Sequence, residues 1–244
     1  MILLENIAMT PRVLDETAAD VIARLPRIGK LMIITSHNGI THERIGVLET
    51  ITPDGEWLAC AGAEHDSRIH LPSITRMTVD TSSAVKETAY PRIDFRDAQN
   101  AVIFSAVGFT GLEPFEAAIE GLALVESAGG DEAPAFKPAP DAAEDDPAYG
   151  PLKAAVASGG TITITLARAG FSQNWHGIVE KIVPSRGFIN IMVPDFHFHV
   201  RGGAVADWAV DGTRWTALSA DGEPIGLSLQ AASADALRPV AVEA

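Results

Sequence analysis

The sequence predicts an α+β protein made of two homologous repeats of antiparallel β-sheet with flanking helices, packed about a pseudo-twofold axis. Three observations predict it. The 244-residue chain matches itself without a gap at an offset of 131, from about Lys30–Asp80 onto Thr161–Asp211. Each copy is a series of short apolar, β-branched runs separated by turn signals. A helical segment precedes each series.

The self-match is specific. Gly39 falls on Gly170, Gly46 on Gly177, Val47 on Ile178, Glu49 on Glu180 and Ile51 on Ile182. Pro53 meets Pro184, Trp57 meets Phe188, Glu64 meets Asp195 and Asp80 meets Asp211. Polar, turn and apolar positions all agree. A molecule built from two copies tends to place its ligand between them or symmetrically on them.

Taken in order, residues from Pro11 to Leu25 predict a helix. Pro11 suits a first turn, Asp15 and Glu16 suit an N-terminal end, and Ala18, Val21, Ile22 and Leu25 form one apolar face. Lys30–Ser36 is β-branched and apolar, hence a strand. His37-Asn38-Gly39 turns it, and Ile40–Ile51 returns as the second strand. Thr52-Pro53-Asp54-Gly55 is the next turn. Strands are expected at Glu56–Ala61, Arg68–Leu71, Ile74–Asp80, Arg92–Phe95 and Ala101–Val107. Glu113–Ser127 then reads as a helix, with Phe115, Ala118, Ile119, Leu122 and Val125 on one face.

Ala128–Asp146 is rich in Ala, Pro, Gly and acid and has no periodicity, as expected of a solvated linker. The expected organisation is a first repeat at 1–127, a linker at 128–147 and a second repeat at 148–244. Tyr149–Ser158 is a short helix. Strands follow at Thr161–Leu166, Ser172–Val183, Phe188–Met192, Phe196–Val200, Ala204–Val210, Thr213–Leu218 and Pro224–Gln230. Phe95 aligns with Leu218 at an offset of 123, so about eight residues are missing from the second copy.

Composition narrows the function. Acidic residues outnumber basic ones, 32 to 18, for a formal charge of −14. That balance argues against a nucleic-acid partner, since phosphate binding needs a basic surface. It leaves room for a local basic pocket. A single cysteine, Cys60, supports neither a disulfide framework nor a Cys-rich metal site. No apolar run reaches spanning length, and the opening MILLENIAMTPR has no basic region leading into one. The expectation is a cytoplasmic monomer or homodimer without membrane insertion.

In the second copy, Gly177-Ile178-Val179-Glu180-Lys181-Ile182-Val183-Pro184, Gly187-Phe188-Ile189-Asn190-Ile191 and Pro194-Asp195-Phe196-His197-Phe198-His199-Val200 resemble the haem-utilisation family of HemS, ChuS and ChuX. In the first copy, His42-Glu43-x-x-Gly46 and Asp66-Ser67-Arg68-Ile69-His70-Leu71 are similar to motifs of the same family. The resemblance covers about residues 20–125 and 148–230. It implies strongly bent antiparallel sheets with two repeats packed face to face, and haem as the ligand or cofactor. The two-repeat members carry a helical stretch with an axial histidine between the copies. Here Gly129–Asp146 contains no histidine.

Arg68 sits on the family arginine that approaches the distal side of haem. A guanidinium can donate to a propionate or an iron-bound ligand, or simply pair with Asp66 or Glu64 on a strand edge. His199 is the repeat mate of Arg68, and imidazole is a good axial ligand for haem iron. A strand histidine packed among its neighbours is the alternative. His197 and His199 point to one face of a strand, as do Arg68 and His70. Arg68, His70, His197, His199 and Arg201 would form one basic pocket if the copies face each other, or else solvated sheet edges. His42 and Glu43 read as fixing the first hairpin, and Trp175, Trp208 and Trp215 as packing residues.

Three functions follow. The first is a haem carrier in haem utilisation. The second is a haem-degrading oxygenase, which needs an iron ligand, an open face and external electrons. The third is a family member that has lost haem and serves as a non-haem binding or structural module.

Overall fold

Where the sequence predicts one helix over 11–25, the chain forms strand β1 (Arg12–Leu14), helix α1 (Ala18–Ile22) and a 3₁₀ turn at Leu25–Ile28. Thr17 starts α1 by accepting a hydrogen bond from the Asp20 amide. Pro26 has no amide to carry the helix further. The computed structural model describes residues 12–82, 84–85, 88–126 and 142–238. Pro11, Ser127 and most of the expected linker, residues 128–141, lie outside the described residues.

The first copy continues as β2 (Lys30–His37), β3 (Ile40–Val47), β4 (Thr50–Asp54), β5 (Trp57–Ala61), β6 (Asp66–His70), β7 (Arg76–Asp80), β8 (Ala84–Val85), β9 (Thr88–Ala89), β10 (Arg92–Arg96) and β11 (Val102–Gly108). Helix α2 (Leu112–Ile119) is shorter than the predicted 113–127. Gly121, at φ 82°, breaks the run, and β12 (Leu124–Glu126) instead pairs with β1. The second copy consists of α3 (Tyr149–Ser158), β13 (Thr161–Arg168), β14 (Phe171–Ile178), β15 (Val183–Ser185), β16 (Phe188–Val193), β17 (Phe196–Arg201), β18 (Asp207–Asp211), β19 (Arg214–Leu218) and β20 (Pro224–Ala231).

All pairings are antiparallel. The ten-stranded sheet runs β12-β1-β7-β10-β11-β2-β3-β17-β16-β15, and the eight-stranded sheet runs β18-β19-β20-β13-β14-β6-β5-β4. Each sheet therefore takes three strands from the other copy. This exchange explains why the predicted single strands Ile40–Ile51 and Ser172–Val183 each break in two. The chain leaves one sheet after Val47 and enters the other at Thr50, and it does so again between Ile178 and Val183. The aligned glycines stand at these departures. A Cβ on Gly46 would come within 2.5 Å of the Glu64 Cβ, and one on Gly177 would collide with the Trp175 ring.

Residues 131 apart occupy matching places in the two sheets. Phe198 pairs with His42 where β17 joins β3, and Ser67 pairs with Gln173 where β6 joins β14. His42 also touches its own repeat mate, since Gln173 Nε2 donates to His42 Nδ1 at 3.0 Å. Ile40 packs into the hydrophobic core of the second copy, and its mate Phe171 packs into that of the first. Register corrects the alignment beyond Asp80. Phe95 opposes Met77, and Ala217 opposes Trp208, the mate of Met77. Phe95 thus corresponds to Ala217, at offset 122, and the second copy is nine residues shorter there rather than eight. The β8–β9 hairpin stands in the longer copy.

His42 is fully buried between the sheets, bonded to the Ile164 carbonyl at 3.2 Å as well as to Gln173. Burial pushes its pKa down to about 3, partly opposed by the Ile164 carbonyl and reinforced by Arg44. Between pH 6.5 and about 3 the unfolded chain therefore holds a proton that folded His42 refuses, so stability falls as pH falls through that window. Buried His65 is lowered in the same direction. The expected loss from His42 is on the order of a few kcal/mol. Urea midpoints between pH 7.5 and 4 check it against His42→Gln, a residue its repeat mate already carries. Equal pH slopes for both proteins would remove His42 as the cause.

Candidate functional site

Strand alternation divides five neighbouring strands of the ten-stranded sheet into two faces. Leu31, Ile33, Ile40, His42, Phe196, Phe198, Val200, Ile189 and Ile191 are buried against the other sheet. The opposite face carries Ile34 and Ser36 on β2, Thr41 and Glu43 on β3, and His197 and His199 on β17. Phe188, Asn190 and Met192 on β16 share that face. Together with Val183, Ser185, Arg186 and Lys181 around β15, most of these line a cavity of about 750 Å³. That size lies within the range of small-molecule and cofactor sites, roughly 300–1,000 Å³.

His199 is held in one state. Its Nδ1 lies 2.6 Å from Asn190 Oδ1. Asn190 Nδ2 donates to the carbonyls of Val183 at 2.8 Å and Phe188 at 3.2 Å, which fixes the amide with its oxygen toward the imidazole. Nδ1 of His199 therefore carries the proton, and Nε2 keeps its lone pair. Burial lowers the His199 pKa, with Glu43 opposing and His197 adding to the effect. The neutral imidazole is the form a metal needs. Glu43 Oε1 stands 3.9 Å from Nε2, and Glu43 Oε2 takes His197 Nδ1 at 3.1 Å. His197 is thus tied to Glu43, while His199 Nε2 makes no hydrogen bond among the described residues. No group of three or more metal-ligating side chains occurs among the described residues.

The five residues expected in one pocket are placed on two sheets. His197, His199 and Arg201 lie on β17, with Arg201 at its exposed end, opposite Phe188. Arg68 and His70 lie on β6 in the eight-stranded sheet, on the face turned away from buried Ser67 and Ile69. Arg68 pairs with Asp54 rather than with Asp66 or Glu64, and its guanidinium lies 5.6 Å from the Trp57 ring centre. His70 bonds Ser73 Oγ at 2.8 Å and packs on Trp57 at 4.8 Å. The packing core of the two sheets separates these groups from His199. Of the tryptophans, Trp175 stacks on Phe196, and Trp208 meets Trp215 at 6.2 Å.

Sequence reasoning passed over Asn190, Lys181 and Arg186, and it read Glu43 only as a hairpin residue. A signal existed for Asn190. It lies in the same motif as Phe188, and antiparallel register sets it opposite His199. Arg186 shows no sequence signal, because it is a turn residue that only the closed hairpin brings over the cavity.

No protein-family model matches the chain, and no curated protein does. Solved structures do. The crystal structure of ChuS, an E. coli heme oxygenase, is 16% identical with a TM-score of 0.74, covering 91% of this chain and 83% of that one. That of holo-PhuS, a heme-binding protein from Pseudomonas aeruginosa, is 18% identical with a TM-score of 0.71, covering 92% of this chain and 82% of that one. The likeness shows the fold: two largely antiparallel sheets with few helices, arranged as in ChuS and PhuS. No helix among the described residues is long and apolar enough to cross a membrane.

Proposed function

We propose that this protein binds haem in the cavity over β15–β17 and β3, with His199 Nε2 as the iron ligand. One observation carries the reading: Asn190 fixes the His199 tautomer so that a neutral imidazole presents its lone pair at the floor of a cavity of cofactor size. The other lining residues fit the same group. Ile34, Val183, Phe188 and Met192 offer apolar and aromatic surface to a flat macrocycle, and Lys181 and Arg186 offer charge to its carboxylates. Two of the solved structures with this fold are called heme proteins, which supports the reading. Bound haem would supply the iron and its visible absorption. The protein's own residues bind, orient and shield it.

Within this reading the chain is a cytoplasmic haem carrier, monomeric or homodimeric. Residues 1–127 and 148–244 act as homologous units, joined at 128–147 and related by a pseudo-twofold axis through His42 and Gln173. Contact between these two repeat mates supports such an axis, since only residues beside it can touch their mates. Arg68 and His70 stand outside the cavity.

Titration with hemin tests the proposal. The expected result is a saturable shift of the Soret band at one equivalent, with an electron paramagnetic resonance signal of histidine-ligated iron. No shift sinks haem binding and leaves a non-haem module. Bleaching of the complex on adding a reductant under air assigns a degrading enzyme instead of a carrier.

A further inference from the structure

Arg186 holds a backbone conformation that its side chain disfavours. Its φ is +54°, in the left-handed region, followed by Gly187 at φ +81° in the β15–β16 turn. At the matching turn of the first copy the same place is taken by Gly55, at φ +62°. The fold thus accepts glycine there without strain, yet the second copy keeps an arginine. Strained positions of this kind persist where the side chain has a use. Arg186 lines the cavity, and so does Lys181 at the start of the same hairpin. Neither is paired with a carboxylate among the described residues, although the chain carries 32 acidic residues against 18 basic ones. At the positions matching Lys181 and Arg186 the first copy has Thr50 and Gly55 and no cation.

We infer that Lys181 and Arg186 are a carboxylate clamp, and that the cavity selects a planar apolar ligand bearing carboxylates at one edge. The inference rests on the haem reading for the ligand's core but adds what recognises its rim. The geometry separates the two tasks. Strand β15 lies two strands from β17, about 10 Å across the sheet, so the clamp meets the ligand edge while His199 meets its centre. Glu43, the only carboxylate lining the cavity among the described residues, is on β3 and engaged by His197, on the far side of β17 from the clamp. A charge-assisted contact to a carboxylate by each cation weakens binding by about tenfold when lost. The attraction also declines with salt, because both side chains are exposed.

The discriminating variant is Arg186→Gly, alone and with Lys181→Gln, since glycine restores the residue the turn favours. Each protein is titrated with hemin, with iron-free protoporphyrin and with the neutral dimethyl ester of protoporphyrin, and each is melted without ligand. The expected result is a melting temperature that does not fall, together with affinity for hemin and protoporphyrin down about tenfold for the single variant and about 100-fold for the double. The Soret position of the hemin complex stays unchanged, and ester binding is indifferent to the substitutions. If wild-type protein ignores hemin but binds protoporphyrin in a clamp-dependent way, iron ligation fails while the clamp stands. If hemin binds equally well to wild type and variants, the clamp is overturned and the haem reading survives. Equal binding of ester and diacid by the wild type, or binding of none of the three, also overturns the clamp.

Discussion

His199→Ala is expected to remove iron ligation altogether. The complex with hemin should lose its histidine-type Soret position, and its affinity should fall by more than the roughly 10–100-fold that loss of a supporting partner costs. The argument rests on the hydrogen-bond network rather than on the presence of a histidine. Asn190 spends both amide protons on backbone carbonyls, so its oxygen must accept from Nδ1, and Nε2 is left as a base. Asn190→Leu should therefore weaken binding within that 10–100-fold range while keeping the ligand type. Absorbance and electron paramagnetic resonance of both variants check this. An unchanged spectrum for His199→Ala rules out His199 and leaves His197 as the only other histidine on this face of β17, since His70 belongs to the other sheet.

The self-match was legible as identities at turns and close approaches. Gly39 and Gly170 share φ +79°, and strands β2, β3 and β7 match β13, β14 and β18 residue for residue at offset 131. The exchange of strands between copies was not legible. A strand that ends one sheet and begins the next reads as one β-rich run, and only tertiary pairing tells where Ile40–Ile51 divides. The helices failed for a local reason. Leu122 and Val125 keep a helical spacing with Phe115 and Ala118, but Gly121 and the open edge of β1 turn that segment into a strand. For the site, alternation along β17 correctly put His197 and His199 on one face. It could not say that Arg68 and His70 face outward from the other sheet, because sequence does not reveal on which side the copies meet.

The residues 131 positions away separate the proposed site from the matching face of the other sheet. His199, Asn190, Phe188, Glu43 and Arg186 have as mates Arg68, Ala59, Trp57, Asn174 and Gly55. Ala59 cannot orient an imidazole, and Arg68 is spent on Asp54 and the Trp57 ring. The strands match in place, and these few side chains distinguish the proposed site from its counterpart.

The packing that carries this frame predicts the largest loss of stability. Phe196 begins the strand that carries His197 and His199 and is fully buried on its opposite face, stacked on Trp175 at 4.6 Å and against His42 at 4.7 Å. The Arg44 guanidinium lies 5.9 Å from its ring centre, and Arg44 in turn pairs with Asp195 at 3.0 Å. Phe196→Ala is therefore expected to cost about 3–5 kcal/mol, the sum of lost transfer energy and an uncollapsed cavity. For a chain of this size that corresponds to a fall in Tm of roughly 6–20 °C. The cavity would open where the sheets join, so the floor under His199 should loosen as well, and hemin affinity should drop without a change of ligand. Met192→Ala is the control. Its side chain is 45% exposed on the cavity face, and it should cost within about 0.5 kcal/mol. Urea unfolding and thermal melts of the two variants decide it. A Phe196→Ala protein that loses less than about 1 kcal/mol would mean that the ring does not hold the sheets together at the join between β3 and β17.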